Sequence, residues 1–99
     1  MDLPDNNTIR FGASNDLQIS HASGGISSIT HSHSGGEPLH IVSNGDIKLK
    51  VATNEEGIIA KSNGAVELYH DNSKKFFTLS DGVEVDGHLY LMDLSLIHI

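Results

Sequence analysis

The stretch GAVELYHDNSKKFF, residues 64–77, decides the fold of this 99-residue chain. Val66 and Leu68 alternate with polar or amphipathic residues, and successive side chains of a strand leave opposite faces of a sheet. The polar corner DNSK at 71–74 follows, and the segment KFFTL returns after it. The stretch therefore predicts a β-hairpin with one apolar face and one polar face.

The same alternation and the same polar corners recur along the whole chain. Clusters of Asn, Asp, Ser and Gly interrupt it about every 8 to 12 residues, which is typical of all-β proteins with many short strands. We predict an all-β fold of antiparallel hairpins, with SNGD (43–46) and VDGH (85–88) as the best two-residue turns. The predicted strands are TIRFG (8–12), DLQIS (16–20), GISSITHS (25–32), PLHIV (38–42), DIKLKV (46–51), GIIAK (57–61), AVELYH (65–70), KFFTL (75–79), VEV (83–85) and HLYLM (88–92).

An echo of the opening stretch lies 49 positions upstream. LQISH at 17–21 aligns with VELYH at 66–70, so the pattern apolar, polar, apolar, polar, His occurs twice before a polar corner. If the two stretches are repeats, burial recurs at matched positions, and we expect Ile19 and Leu68 both to be buried. We predict that residues 1–93 form one repetitive segment. Two related sub-repeats are expected within it, one near residues 8–50 and the other near 57–93.

The composition predicts a thin hydrophobic core. The chain has no Trp and only 5% aromatic residues, and each predicted strand offers two or three inward side chains. A single sheet of such strands cannot enclose a core and needs a second layer or another copy of itself. We therefore expect an elongated, fibre-like arrangement of repeats and a poorly folded isolated monomer.

Charge and hydropathy argue against several classes of partner. Six basic residues face 13 acidic ones, and the resulting formal charge of −7 repels nucleic acid. The absence of Cys excludes disulfides and thiolate metal sites. No segment approaches about 18 consecutive apolar residues, so we expect a soluble chain that does not cross a membrane.

Three blocks of the sequence resemble a known family. NNTIRFGASNDLQIS, SGGEPLHIVSNGDIKLK and GAVELYHDNSKKFFTLSDGVEVDG, together spanning roughly residues 5–92, are similar to repeats in tail-fibre and related structural proteins of tailed bacteriophages, especially marine ones. ISHASGG departs from the family pattern, with Ser20 in place of Tyr and Ala22 in place of Asp, so its corner is expected to be looser.

The resemblance implies an elongated, homotrimeric virion appendage, made in the host cytoplasm, that contacts other tail proteins and supports host attachment. Two functions fit it. The chain is either a structural spacer that stacks and trimerises through its apolar faces, or a binding module that presents Tyr69, Tyr90 and a His-rich loop to cell-surface glycan. Short corners and scattered aromatics favour the spacer.

The end of the chain, LSLIHI at 94–99, resembles translated sequencing-adapter read-through and departs from the family pattern. We expect these residues to be non-native or frayed. A short final strand at a sheet edge is the alternative.

The histidines of THSHS are the sharpest chemical candidates. His31 and His33, two apart on a predicted strand, are expected to point to one face, and imidazole suits Fe, Ni, Zn or Cu. Exposed polar histidines in a Ser- and Gly-rich turn are the favoured interpretation, so no metal or other cofactor is predicted. His21 and His70 are expected to bond corner carbonyls, and His40 to point outward.

No pattern of catalytic residues is present, and we predict a protein that is not an enzyme. The chain lacks a Gly-x-Ser-x-Gly elbow and a phosphate-binding glycine loop. Glu55-Glu56 is expected in a solvated turn, and Glu67 and Glu84 on wet strand faces. Lys74-Lys75 is expected at a corner, where it discourages pairing of a strand edge.

Overall fold

The computed structural model describes residues 1–92, in which every regular element is a β-strand. The all-β prediction is confirmed. Within this range there is no helix of a length and apolarity suited to crossing a membrane. The prediction for 94–99 falls outside the described residues. The strands are β1 Thr8–Phe11, β2 Leu17–His21, β3 Ser27–His31, β4 Ile47–Ala52, β5 Glu55–Ala60, β6 Val66–His70, β7 Ser73–Leu79 and β8 Gly82–Val85.

The strands form two antiparallel meanders in two compact units. Met1–Ile41 holds a three-stranded sheet of order β1-β2-β3, and the unit that begins at Val42 holds a five-stranded sheet of order β4-β5-β6-β7-β8. Within each sheet, strands that are consecutive in sequence pair with each other, which is the simplest result of short polar corners between alternating segments. The predicted sub-repeats stay a prediction, since residue 93 lies outside the described range.

Eight of the ten predicted strand segments contain an observed strand, and two predictions were wrong. PLHIV at 38–42 and HLYLM at 88–92 have no strand pairing. The first connects the two compact units and begins with a proline, which lacks a backbone N–H for pairing. The second follows Gly87, whose positive φ of 120° turns the chain after β8.

The two-residue turns lie at other corners than the two we predicted. They are Thr53-Asn54, Asp71-Asn72 and Ser80-Asp81, each bounded by a directly paired residue on either side. Asp71 and Asn72 have φ values of 47° and 63°, the conformation of a type I′ hairpin turn. SNGD and VDGH instead lie where a strand begins or ends without a partner across the turn.

The five-stranded sheet contains three register shifts, one in the β6–β7 pair and two in the β4–β5 pair, and they change which side chains share a face. Leu68 lies opposite Phe76, whereas Tyr69 lies opposite Lys74, so Lys75 has no partner on β6 and Lys74 joins the face of Tyr69. A similar register shift in the β4–β5 pair occurs at Gly57. A Cβ there would lie 2.9 Å from the Leu49 carbonyl oxygen, which explains the glycine.

The strand pairing shows why the sequence echoes itself. Ile9 lies opposite Ile19, Ile19 opposite Ile29, and Ile58 opposite Leu68, so these equivalent strand positions are ten residues apart. Adding 49 to the residue numbers of the β1–β2 pairs gives the β5–β6 pairs. Adding 39 to the residue numbers of the β2–β3 pairs gives the same β5–β6 pairs.

The offset of 39 also reproduces the connecting turn. The Ala22 N–H donates to Ile26 at 2.9 Å, and the Lys61 N–H donates to Ala65 at 3.0 Å. The Ser23 N–H in the first turn donates to Asn6 Oδ1, and the Ser62 N–H in the second donates to Asp46 Oδ1. The echo therefore reflects a regular meander rather than a single repeat of 49 residues.

The prediction that Ile19 and Leu68 are both buried was wrong. Their exposed fractions are 42% and 40%. Each lies in a sheet that is a single layer within its own unit, so no second layer covers it. Burial at matched positions therefore gives no support to the alignment at 49.

Candidate functional site

The five-stranded sheet carries an unbroken row of apolar side chains across all its strands. One residue of each strand lies directly opposite one residue of the next strand, from β4 to β8. Directly opposed residues point to the same face of a sheet. We call this set the apolar row: Leu49, Ile58, Leu68, Phe76 and Val85.

The apolar row lies open in the single chain. Leu49 is 57% exposed and Ile58 is 40% exposed, and Val66 and Val83 on neighbouring positions of the same face are exposed as well. Contiguous apolar surface of this kind is a candidate interaction surface, because its removal from water is favourable by about 25 cal/mol per Å². The expected thin core is confirmed, because Ile59 is the one buried hydrophobic side chain of residues 1–92.

The opposite face carries a second row with charges at both ends. Lys48, Ile59, Glu67, Phe77 and Glu84 are directly opposed in turn from β4 to β8, and we call them the polar row. The two most buried side chains of the described chain belong to it, since Ile59 is 5% exposed and Glu67 only 3%. Long lysine side chains explain this burial, because their aliphatic stems cover a sheet while the ammonium groups reach water.

Glu67 is the centre of a hydrogen-bonded cluster on the polar face. The Tyr69 hydroxyl donates to Oε1 at 2.8 Å, and the Lys74 ammonium donates to Oε2 at 3.3 Å. The Lys61 ammonium lies 3.2 Å from the same Oε2. Lys74 also lies over the Phe77 ring, 4.2 Å from its centroid, which adds a cation–π contact. A carboxylate with these partners is stable out of water, since each oxygen is satisfied.

The cluster shifts the titration of both of its acidic groups. The hydrogen bond from Tyr69 lowers the pKa of Glu67, and the Lys61 and Lys74 ammonium groups lower it further against the opposing effect of burial. The same hydrogen bond raises the pKa of Tyr69, with burial and the negative charges of Glu67 and Glu56 acting in the same direction. The deprotonated Glu67 and the protonated Tyr69 therefore stabilise each other.

A second carboxylate on this face binds two further lysines. The Lys48 and Lys50 ammonium groups lie 3.6 and 3.7 Å from Glu56 Oε1, and both lysines are about half exposed. Glu56 Oε2 is buried without a hydrogen-bond partner among the described residues. The pairs are long and partly solvated, so each contributes at most about 1 kcal/mol.

Three expectations for charged residues were wrong, and neighbouring strands explain each of them. Glu67 is buried rather than wet because lysines from the end of β5 and from β7 cover it. Glu55-Glu56 begins β5 instead of occupying the turn. Lys74 belongs to β7, which lies between β6 and β8, and so protects no sheet edge. Lys61 was not predicted as part of any site, and no sequence signal singles it out.

The three-stranded sheet has its own exposed apolar row. Ile9, Ile19 and Ile29 are directly opposed, and all three are exposed. With Leu3 and Pro4 they line a groove of about 610 Å³. Both sheets thus present one apolar face that residues 1–92 leave uncovered within the respective unit.

The metal candidates His31 and His33 contact different atoms of Glu37. β3 ends at His31, whose Nε2 lies 2.8 Å from the Glu37 carbonyl oxygen. His33 lies beyond the strand, with Nδ1 3.4 Å from Asp16 Oδ1 and Nε2 3.2 Å from Glu37 Oε2. In residues 1–92 no three His, Cys, Asp or Glu side chains are grouped so that they could hold a metal ion. In a catalytic triad, the histidine nitrogen that faces away from the aspartate bonds a serine hydroxyl, whereas His33 Nε2 lies beside the Glu37 carboxylate.

The other histidines of the prediction have different local environments. His21 Nδ1 lies 2.8 Å from the Ser27 hydroxyl, so the expected bond to a corner carbonyl is replaced by one to a side chain of the paired strand. His40 is exposed, as expected, although it lies outside any strand. His70 is exposed at the end of β6 and lines a depression near Tyr90.

The two tyrosines of the predicted glycan surface have different environments. Tyr69 is half-buried, and its hydroxyl is bound to Glu67. Tyr90 is 86% exposed, and its ring lies 5.9 Å from the His88 ring at an angle of 38°. The His88 and Tyr90 rings border a depression of about 680 Å³, which Lys75, Val85 and Asp86 also line. Tyr69 is not among the residues that line this depression.

No protein-family model, curated protein or solved structure matches this chain.

Proposed function

We propose that this chain is a structural module of an oligomeric β-fibre in a phage tail fibre or related virion appendage, where it supports host attachment. In this proposal copies of the chain form a homotrimer, contact other tail proteins and are made in the host cytoplasm before assembly into the virion. The phage origin depends on the sequence resemblance, and the assembly depends on the surface described above.

The observation that carries the proposal is the open apolar row of the five-stranded sheet. A single-layered sheet with one buried hydrophobic side chain has little to offset the conformational entropy lost on folding. Covering Leu49, Ile58 and Leu68 with an equivalent surface supplies the missing burial. A second copy of the same chain carries the same apolar row, which favours a homo-oligomer.

The test is the oligomeric state of the purified chain, measured by light scattering and sedimentation. We expect a trimer for the wild type and loss of the trimer for Leu68→Lys, because a lysine at the centre of the apolar row would be buried without a partner. Ser80→Lys adds the same charge at an exposed turn of the same unit and should leave assembly unchanged. A stable wild-type monomer that melts cooperatively would contradict the proposal.

Tyr90 favours a second candidate function, a glycan-binding module of the same appendage. An exposed aromatic ring beside a concave surface with Lys75, Asp86 and His88 is the composition of a small polar-ligand site. On a glycan array, reproducible binding that Tyr90→Ala abolishes and Tyr69→Ala retains would support it. An array without reproducible binding would remove this candidate.

A further inference from the structure

The two edges of the five-stranded sheet carry opposite charges. β4 and β8 are the outermost strands, and each pairs with one neighbour among the described residues. Lys48 and Lys50 project from β4, whereas Glu84 lies on β8 between Asp81 and Asp86. A sheet edge presents unpaired backbone N–H and C=O groups, so both edges are able to pair with another strand.

Neither edge has its charge fully neutralised within the chain. Lys48 and Lys50 share a single carboxylate oxygen of Glu56, whereas Asp46, just before β4, accepts a hydrogen bond from the Ser62 N–H and forms no ion pair with either lysine in the described residues. Glu84 is exposed and forms no ion pair with the residues that the structure describes. Charges of opposite sign at two surfaces that meet favour their association and fix its orientation.

The two edges also match in the order of their side chains. The polar row begins at Lys48 and ends at Glu84, and the apolar row begins at Leu49 and ends at Val85. A second copy placed beside the first, β4 against β8, continues both rows without a break. Glu84 then lies opposite Lys48 of the next copy, and Val85 opposite its Leu49.

We propose that copies of this chain associate edge to edge, with β8 of one copy paired to β4 of the next and with Glu84 opposite Lys48. The inference rests on the proposed assembly function and specifies its contact. The interface is heterologous, so it forms a ring when the rotation between copies closes and an open filament when it does not. A ring of three copies encloses the apolar row and leaves the polar row outside.

Pairing of like edges is disfavoured by the same charges. β4 against β4 places lysines opposite lysines, and β8 against β8 places Glu84 and its neighbouring aspartates together. Like charges directly opposite each other destabilise a strand pair. A symmetric dimer through either edge is therefore the arrangement that these residues oppose.

Cysteine cross-linking tests the contact directly, because the full chain contains no cysteine. Paired positions on adjacent strands place Cα atoms about 5 Å apart, within the range that a disulfide spans. We expect a mixture of Lys48→Cys and Glu84→Cys chains to form a disulfide-linked dimer under mild oxidation. Each variant alone should give no dimer, and Lys75→Cys mixed with Glu84→Cys is the matched negative control.

The outcomes separate this contact from the proposed function. Assembly of the mixture without the disulfide, or a dimer from either single variant, overturns the edge contact and leaves oligomerisation intact. Chains that do not assemble at all overturn both. Light scattering of each mixture before oxidation distinguishes the two results.

A charge swap gives an independent readout with no new covalent bond. Glu84→Lys should weaken assembly by at least about tenfold, since it places lysine opposite Lys48. Lys48→Glu combined with Glu84→Lys in one chain should restore assembly, because the edges again carry opposite charges. Asp71→Lys makes the same charge change as Glu84→Lys at the exposed β6–β7 corner, which belongs to neither edge strand, and should have little effect. Failure of the double variant to recover, with circular dichroism showing a folded chain, overturns the pairing.

Discussion

At the scale of single residues, Glu67 shows how a charged side chain is buried on a sheet with almost no core. Its carboxylate accepts from Tyr69, Lys61 and Lys74, which satisfies both oxygens in a site that is 3% exposed. Removing the carboxylate would leave two lysines without their partner. The polar face therefore depends on one residue from the middle strand of the sheet.

The shifted pKa of Glu67 predicts a specific loss of stability in acid. The folded-state pKa lies below the ordinary value of 4.5, so the contribution is fully present above pH 4.5 and is lost as the pH falls through the lower folded value. We expect the free energy of unfolding, measured by urea denaturation at fixed chain concentration, to fall in that acid window for the wild type. Glu67→Gln should flatten the decrease.

The control for this prediction is a carboxylate that lies outside both the Glu67 cluster and the sheet edges. Asp71→Asn removes an exposed carboxylate at the β6–β7 turn, where Asn tolerates the positive φ, and should keep the wild-type decrease in acid. The raised pKa of Tyr69 adds an alkaline counterpart, in which stability is lost as the pH rises above 10.0. A Glu67→Gln profile that parallels the wild type in acid would show that this cluster contributes nothing.

At the scale of elements, Asn side chains form the corners in two ways. The five non-glycine residues of residues 1–92 with positive φ are four asparagines and one aspartate. Several of these side chains also accept hydrogen bonds from a neighbouring segment, as Asn6 does from Ser23 and Asn72 does from Glu56. An Asn-rich corner thus both permits the turn and connects it to the next hairpin.

Asn72 allows these two contributions to be separated. Asn72→Gly keeps the positive φ and loses the hydrogen bond from the Glu56 N–H, so we expect a loss of about 1 kcal/mol in the free energy of unfolding. Asn72→Ala also forces an alanine into the left-handed region, and the loss should rise to about 2 kcal/mol. Chemical denaturation measures both, and equal losses for the two variants would contradict this division.

At the scale of the whole molecule, each unit is a single-layered meander with an exposed apolar row. The chain leaves Leu49 and Ile58 open in one unit and Ile29 open in the other. In the proposed assembly such a chain would gain its missing burial from association, which would make its stability depend on concentration.

We therefore expect the melting temperature of the wild type to rise with chain concentration. Calorimetry or circular dichroism over a roughly hundredfold range of concentration should show an increase of several degrees. Leu68→Lys should melt at a low temperature that does not change with concentration. A wild-type melting temperature that stays constant over the range would show that folding does not depend on association.

The sequence predicts the strands of this protein well and its burial poorly. The alternation of apolar and polar residues around Val66 and Leu68 locates β6 and assigns its side chains to two faces. It does not show which face is buried, because the alternation is the same whichever face other side chains cover. Glu67 was expected in water because nothing near it in sequence indicates that Lys61 and Lys74 converge on it. PLHIV has the alternation of a strand, yet it lies between two units and finds no partner.

What the sequence determined by itself is local: all-β structure, short strands separated by corners about every 8 to 12 residues, and Asn, Asp, Ser and Gly at those corners. These features depend on the conformational preferences of each residue and on the period of two in a strand. Only the tertiary structure decided that Glu67 and Ile59 are buried while Leu68 lies exposed. Burial depends on side chains supplied by neighbouring strands, and the bulge at Lys75, which brings Lys74 to Glu67, is a property of strand pairing that no single strand encodes.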